Sequence, residues 1–426
     1  MKKTLSRAKK FQGRPRIPGD KSISHRGLIL GALAAGTSEV VDILEGEDVQ
    51  STARCLKELG VGISKIGNRT LIEGIGERGF LTPKNVLDCG NSGTTMRVMM
   101  GVLAGRDLTA TLTGDASLVK RPMKRVSEPL MKMGAQFKLT QDNFAPLTVT
   151  GTQLHAVDYE LKIASAQIKT AILMAALCAD GATKITGEIG SRDHTERLLP
   201  HFGCAIEVSD QSIRLRGGQK LKANKVEVPS DPSTAAFWIG AASLIPGSVL
   251  ELENISLNPT RIGFIYALQK MGASIEIKIV KELPEPVGTV RVLAAQLRGI
   301  KITKEQVPSL IDELPLLAVL ATQAHGVTEV RGAEELRVKE SDRIEMVATN
   351  LRAMGIEIET FDDGFKIIGP QKLTGAEIQS DHDHRIAMAF SVAALVADQE
   401  TVIHDAECVA VSYPRFYETL EELIQS

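Results

Sequence analysis

A motif repeating six times, with a period of about 70 residues, constrains this chain more than any other feature. Each copy opens on a short polar head, runs through small apolar residues and stops near a glycine. The copies are DKSISHRGLILGALAAG from Asp20, NSGTTMRVMMGVLAG from Asn91, SAQIKTAILMAALCADG from Ser165, DPSTAAFWIGAASLIPG from Asp231, DELPLLAVLATQAHG from Asp312 and DHRIAMAFSVAALVAD from Asp383. The first five close on Gly36, Gly105, Gly181, Gly247 and Gly326, and the sixth reaches Asp398. An N-cap residue at each head and a C′ glycine at five of the tails predict helices buried on nearly every side. Composition agrees, because aromatics are only 4% and Gly numbers 37. A core built from such residues is aliphatic, with many close backbone approaches.

A second mark keeps the same period: LGVGI, MGAQF, FGCAI, MGASI and MGIEI, centred on Gly60, Gly134, Gly203, Gly272 and Gly355. An amphipathic stretch precedes each, such as SDRIEMVATNLRAM, and predicts a second helix ending at that glycine. Two alternating segments follow, such as CAIEVSDQSIRLRG, and predict a β-hairpin. The unit is therefore helix, strand, helix and hairpin, an α/β architecture. The sixth unit runs out at FYETLEELIQS, before its hairpin. The strand-like segments left over are KTLSRAKKF and GRPRIPG at the other end, so an N-terminal hairpin is expected to complete the last unit. Three units then form an inserted domain over 18–227, and three form a discontinuous domain of 1–17 and 228–426. Crossings near Pro18 and Pro229 predict a hinge with a cleft between the domains. The rival reading is an ordinary repeat protein without a cleft, but this period is longer than that of common solenoid units.

The formal net charge of −2 argues against a general nucleic-acid or membrane-surface binder, since both need a basic excess. The longest apolar stretches, 235–245 and 386–397, are too short to span a bilayer. No apolar segment follows the basic start MKKTLSRAKK, so no secretory signal is read. Five scattered cysteines without CxxC spacing suggest reduced thiols in a cytoplasmic protein.

The heads carry the chemistry. A helix start offers unpaired N–H groups to an anion, and several heads add cations: Lys21 and Arg26, Arg97, and Arg385. Others lie in the connections: Arg121 in LVKRPM, Arg192 in GSRDHTERLL, Lys339 and Arg343 in RVKESDR. In a near-neutral chain this recurrence points to a small polyanionic ligand held between domains. Asp312 and Glu313 open a helix with apolar flanks. Capping alone accounts for Asp312, and acid–base work is the alternative. Glu340 lies beside Lys339, a cation able to tune it. DHDHR at 381–385 invites a metal reading, but residues two apart do not share a helix face, and helix capping with anion contact fits better. Nucleophile-elbow and P-loop motifs are absent from the sequence.

The motifs PGDKSISHR at 18–26, GNSGTTMR at 90–97, KRPM at 120–123, SAQIKTA at 165–171, LIDELP at 310–315, RVKESDR at 337–343 and DHR at 383–385 closely resemble those of the 5-enolpyruvylshikimate-3-phosphate synthases. The resemblance covers essentially the whole chain. It implies two domains of three βαβαββ units, the inverse α/β barrel of the enolpyruvyl transferases, with a ligand cleft between. It implies the substrates shikimate 3-phosphate and phosphoenolpyruvate, no metal or organic cofactor, and a cytoplasmic monomer. Lys21, Ser22 and Arg26 would contact shikimate 3-phosphate, Lys21 also reaching phosphoenolpyruvate. Ser165, Ala166 and Gln167 would sit at the shikimate phosphate and ring, Gln167 touching both ligands. Arg192, in SRDHTE, resembles the class II variant and would add a shikimate 3-phosphate contact. Gly93, Arg121, Arg343 and Arg385 would bind phosphoenolpyruvate. Asp312 would take the proton of the 5-hydroxyl, with Lys339 beside it, and Glu340 would donate one to the methylene carbon, assisted by Lys21.

Two departures stand out. The Lys usual in the C-terminal segment is missing from VAVSYPRFYE, where Ser412 and Tyr413 fall, leaving Lys120 or Arg121 as stand-ins. Ala166 replaces a serine and removes one hydroxyl from the phosphate site. Gly93, being unsubstituted, leaves room for analogues, so the resemblance implies competitive inhibition by glyphosate. Two rivals remain. The sister transferases acting on UDP-N-acetylglucosamine usually carry a reactive Cys where this chain has LVKRPM, and Lys-Asn where it has Lys21-Ser22. A non-catalytic phospho-ligand sensor would keep the cations but has no need of Asp312 and Glu340 together.

Overall fold

The structure is a computed structural model that describes residues 1–425. It contains two compact units: an inserted one, Gly19–Val228, and a flanking one, Met1–Pro18 with the chain from Pro229 onward. Each boundary falls one residue beyond the sequence expectation of 18–227. Val228 still donates to Val41 O in the inserted unit's sheet, whereas Asp231 N already donates to Pro18 O in the flanking unit.

Among the described residues the helices are α1 (Lys21–Leu33), α2 (Glu47–Glu58), α3 (Gly93–Ala104), α4 (Lys124–Lys132), α5 (Ala166–Ala176), α6 (His194–His201), α7 (Pro232–Leu244), α8 (Gly263–Lys270), α9 (Leu314–Ala321), α10 (Arg343–Ala353), α11 (His384–Ala394) and α12 (Phe416–Leu423). The odd-numbered helices follow the six polar heads and are buried nearly all round; every residue of α9 and α11 is buried. Small residues permit this packing. A Cβ on Gly101 of α3 would lie 2.1 Å from Ala171 O of α5, so the two helices meet backbone to backbone.

The tail glycines act differently from expectation. Helix α1 is capped by extended Ala34, and Gly36, with φ of +99°, turns the chain into the next strand. Gly105 is itself the cap residue of α3, at a negative φ. The C′ role falls to the second glycine series: Gly60, Gly134, Gly203, Gly272 and Gly355 each follow the cap of α2, α4, α6, α8 or α10, with φ between +80° and +103°.

Five sheets share one pattern. A short strand, at the edge in four of them, runs parallel to the strand that follows the buried helix, which pairs antiparallel with the far strand of a hairpin; in the fifth, Lys10–Gly13 takes this place and is flanked in turn by Ile424–Gln425. In the second of them Leu87–Asp88 is the edge, Thr109–Thr113 follows α3, and Gln136–Thr140 and Phe144–Thr150 form the hairpin. The N-terminal segments depart from the expected hairpin. Lys3–Leu5 pairs antiparallel with Thr401–Ile403 of the sixth unit, but Lys10–Gly13 runs parallel to Val249–Ser256 of the fourth. Likewise Lys225–Glu227, which leads into α7, pairs with Thr37–Val41 after α1. Short parallel strands are therefore exchanged between repeat units at the two crossings, and the N-terminus serves two sheets.

Candidate active site

In the inserted unit, Asp20 caps α1 by accepting from Ile23 N at 2.8 Å. That fixes Lys21 at the first helical position, where its Nζ reaches Asp48 Oδ2 on α2 at 3.0 Å. Buried Arg26, one turn on, donates to Ser22 O at 3.0 Å, Thr170 Oγ1 on α5 at 2.7 Å and Thr195 Oγ1 on α6 at 2.7 Å. Three helices thus hold one guanidinium. Between Lys21 and Arg26, buried His25 bonds Thr52 Oγ1 at 2.7 Å, and Thr52 bonds Thr95 of α3 at 2.6 Å. Burial, with Lys21 and Arg26 adding repulsion, pushes the His25 pKa well below its usual value. The imidazole is neutral at pH 7.

Ser92 caps α3, placing Gly93 at its start. A Cβ on Gly93 would stand 3.2 Å from Arg97 Nη1 and 3.5 Å from Arg121 Nη1. Arg97 donates to Gln167 Oε1 at 2.6 Å, while Gln167 Nε2 donates to Thr94 Oγ1 at 3.0 Å, which sets the amide's orientation. Arg121 is buried and held by Asn91 Oδ1 at 2.7 Å and Ser117 Oγ at 3.1 Å. Lys120, the other stand-in, is exposed. Ser165 caps α5 by accepting from Ile168 N, with Ala166 first in the helix. Arg192 is half-buried in the loop before α6.

The flanking unit gathers Asp312, Lys339, Glu340, Arg343 and Arg385. Asp312 lies in a 3-10 turn, Ile311–Glu313, and α9 has no side-chain cap, so capping does not explain this carboxylate. Its Oδ1 is 3.3 Å from Arg343 Nη1 and 3.5 Å from Lys339 Nζ, and its Oδ2 is 3.7 Å from Arg385 Nη2. Arg343 also reaches Glu340 Oε2 at 2.7 Å and Asp383 Oδ2 at 2.8 Å. Burial opposes its charge, but Asp383, Glu340 and Asp312 more than offset that and hold its pKa above the ordinary value. Asp383 caps α11 through Arg385 N at 2.9 Å and accepts from Ser341 Oγ at 3.0 Å. Its carboxylate is taken up by helix cap and guanidinium. Arg385 donates to Asp312 O at 3.3 Å and Glu313 Oε1 at 3.4 Å. At the C-terminal departure Tyr413 is buried edge-on against Trp238, which stacks on Phe416 at 4.6 Å; it fills core.

Sequence reasoning named Arg97 among the head cations without a role, and it missed Asp48, Thr170 and Thr195. Asp48 is one acid among 52, and a lone threonine carries no pattern until its distant partner is known.

The family model described as EPSP synthase (3-phosphoshikimate 1-carboxyvinyltransferase) matches residues 5–420. A 3-phosphoshikimate 1-carboxyvinyltransferase of Bacillus cytotoxicus is 47% identical over 421 residues, covering 98% of this chain and 99% of its own. One from Desulforamulus reducens is 46% identical over 427 residues, covering 100% of each. Among solved structures, an EPSP synthase from Acinetobacter baumannii superposes with a TM-score of 0.88 at 41% identity, over 99% of this chain and 98% of that one. The enolpyruvyl transferase NikO from Streptomyces tendae shares the fold, with a TM-score of 0.77 at 18% identity, over 99% of this chain and 96% of its own. On sequence and fold together, the chain belongs to the EPSP synthase (3-phosphoshikimate 1-carboxyvinyltransferase) family.

Proposed function

We propose the following division of labour for the reaction of this family, transfer of the enolpyruvyl group of phosphoenolpyruvate to the 5-hydroxyl of shikimate 3-phosphate. The carrying observation is that Asp312 and Glu340 both meet the one Arg343 guanidinium. Two carboxylates close to a fixed cation can take different proton-transfer roles. Asp312 accepts the 5-hydroxyl proton as the oxygen attacks C2, and Glu340 protonates C3 of phosphoenolpyruvate. The tetrahedral adduct then returns a proton from the new methyl group to the Glu340 carboxylate and expels phosphate, restoring the double bond. Lys339 stands 3.5 Å from Asp312, on the shikimate 3-phosphate side of the base.

Phosphoenolpyruvate brings a phosphate and a carboxylate, and Lys21, Arg121, Gln167, Arg343 and Arg385 with Gly93 are the groups for them. Lys21, Ser22, Arg26, Ser165, Ala166, Gln167 and Arg192, with Lys339 and Asp312, serve shikimate 3-phosphate. Arg192 with Ala166 supports a class II-like phosphate site, in which a guanidinium compensates for the missing serine hydroxyl. All these residues come from one chain, so the reading needs no second copy. A phosphate-release assay tests it. Turnover with phosphoenolpyruvate and shikimate 3-phosphate is expected, and none with UDP-N-acetylglucosamine as acceptor. Ligand binding without phosphate release would favour the sensor instead.

A further inference from the structure

Lys169 is an ammonium on α5, two residues past Gln167, and only 1% exposed. The division of labour above gives it no task. Burying a lysine is unfavourable unless its charge and donors are matched, and here all three donors have acceptors. Nζ lies 2.7 Å from Glu196 Oε1 on the first turn of α6, 3.0 Å from Ile189 O and 3.0 Å from Ser191 O. Glu196 is itself buried. The ion pair could have been anchored by any neighbouring acceptors, but two of its three bonds go to the backbone immediately before Arg192.

That backbone needs fixing. Gly190 lies between the two tied carbonyls, and a Cβ there would meet nothing within 4 Å. Its φ is not in the left-handed region either, so neither space nor conformation demands glycine, and it leaves the loop free to vary. The next residue of α5, Thr170, joins Thr195 at 2.8 Å, and both bond Arg26. Successive side chains of α5 therefore hold the loop carrying Arg192 and the helix start that supports Arg26.

We propose that the buried Lys169–Glu196 pair is a positioning device for Arg192, setting the loop 189–192 so that this guanidinium meets the phosphate of shikimate 3-phosphate. The proposal rests on the assignment of Arg192 to that phosphate. Lys169 touches no substrate; it acts through the two carbonyls.

The test replaces the pair together, Lys169→Met with Glu196→Leu, which removes the ammonium without stranding a carboxylate and keeps the site filled. Apparent KM for each substrate, kcat and Tm are measured for this variant, for Arg192→Ala, and for the combination. Misplacing a binding group by about an ångström can cost up to about 100-fold. The expected result is a rise of about tenfold in KM for shikimate 3-phosphate, with KM for phosphoenolpyruvate changed less than about twofold and Tm kept. The combined variant should be no worse than Arg192→Ala alone, because both changes remove the same contact. If Arg192→Ala leaves that KM unchanged, the Arg192 assignment fails. If Arg192→Ala raises it and the paired variant does not, the positioning role alone is overturned. A paired variant recovered unfolded, or with both KM values rising together and adding to Arg192→Ala, shows the pair serving the fold at large and also overturns the proposal.

Discussion

Arg343 Nη1 stands 3.3 Å from Asp312 Oδ1, so the proposed base faces a cation buried on every side. Asp312→Ala would leave that cation without one of its partners and confuse chemistry with folding. Asp312→Asn keeps the shape and one acceptor while removing the basic oxygen. It should lower kcat by roughly 10²–10⁴-fold, the usual contribution of a positioned base, while KM for shikimate 3-phosphate moves less than about tenfold. Phosphate release under saturating substrates checks this. A normal kcat with a large KM rise would move Asp312 from proton transfer to binding.

The Gly93 position bears on phosphoenolpyruvate and its analogues. With Arg97 Nη1 3.2 Å from the site of a Cβ and Arg121 Nη1 in ordinary contact at 3.5 Å, Gly93→Ala must push the Arg97 guanidinium back by a few tenths of an ångström. Glyphosate is expected to compete with phosphoenolpyruvate in the wild type. Gly93→Ala should raise KM for phosphoenolpyruvate several-fold and the inhibition constant for glyphosate by more, since the bulkier ligand meets the methyl group first. Inhibition curves for both enzymes decide it; equal shifts would mean that the methyl group acts on the cations and not on the space beside them.

What could be read beforehand depended on how local its cause is. The buried helices were legible because Asp20, Ser92 and Ser165 cap them within three residues. Gly60 and its counterparts were legible because a positive φ after a helix nearly requires glycine. The edge strands were not, since Leu87–Asp88 and Glu377–Ile378 are two residues long and carry no period. The exchange that sends Lys10–Gly13 to the fourth unit's sheet is a choice between equivalent repeats, which local pattern cannot make. In the site, clustered cations were visible as charge in a repeat. The threonines that orient Arg26 were not, because Thr170 and Thr195 acquire meaning only when two helices meet.

Arg385 holds both the backbone of Asp312 and the side chain of Glu313, at 3.3 and 3.4 Å. Truncation to Ala would strip buried Glu313 of this cation and lower stability as well as binding. Arg385→Lys keeps the charge but loses the planar fork suited to a carboxylate or phosphate. KM for phosphoenolpyruvate should rise about tenfold, the equivalent of about 1.4 kcal/mol, while that for shikimate 3-phosphate stays within about twofold. Equal weakening of both substrates, with a fall in Tm, would identify Arg385 as a structural residue.

His25 makes the stability of the protein depend on mild acid. Its folded pKa is depressed by burial first, then by Lys21 and Arg26, whereas the unfolded chain titrates near the ordinary value of about 6.5. Below that value the unfolded state binds a proton that the folded state refuses, so stability falls as pH drops, by up to about 1.4 kcal/mol per pH unit. Asp383, which burial opposes and Arg343 holds low, adds its own loss only at lower pH, as its carboxylate protonates in the unfolded chain near about 4. Between pH 5 and 6.5 His25 therefore acts with little overlap from that carboxylate. Urea unfolding of the wild type across this range should show the slope, and His25→Gln, which can still bond Thr52 but does not titrate, should flatten it. An unchanged slope in the variant would assign the acid sensitivity to another group and leave His25 as a spacer between Lys21 and Arg26.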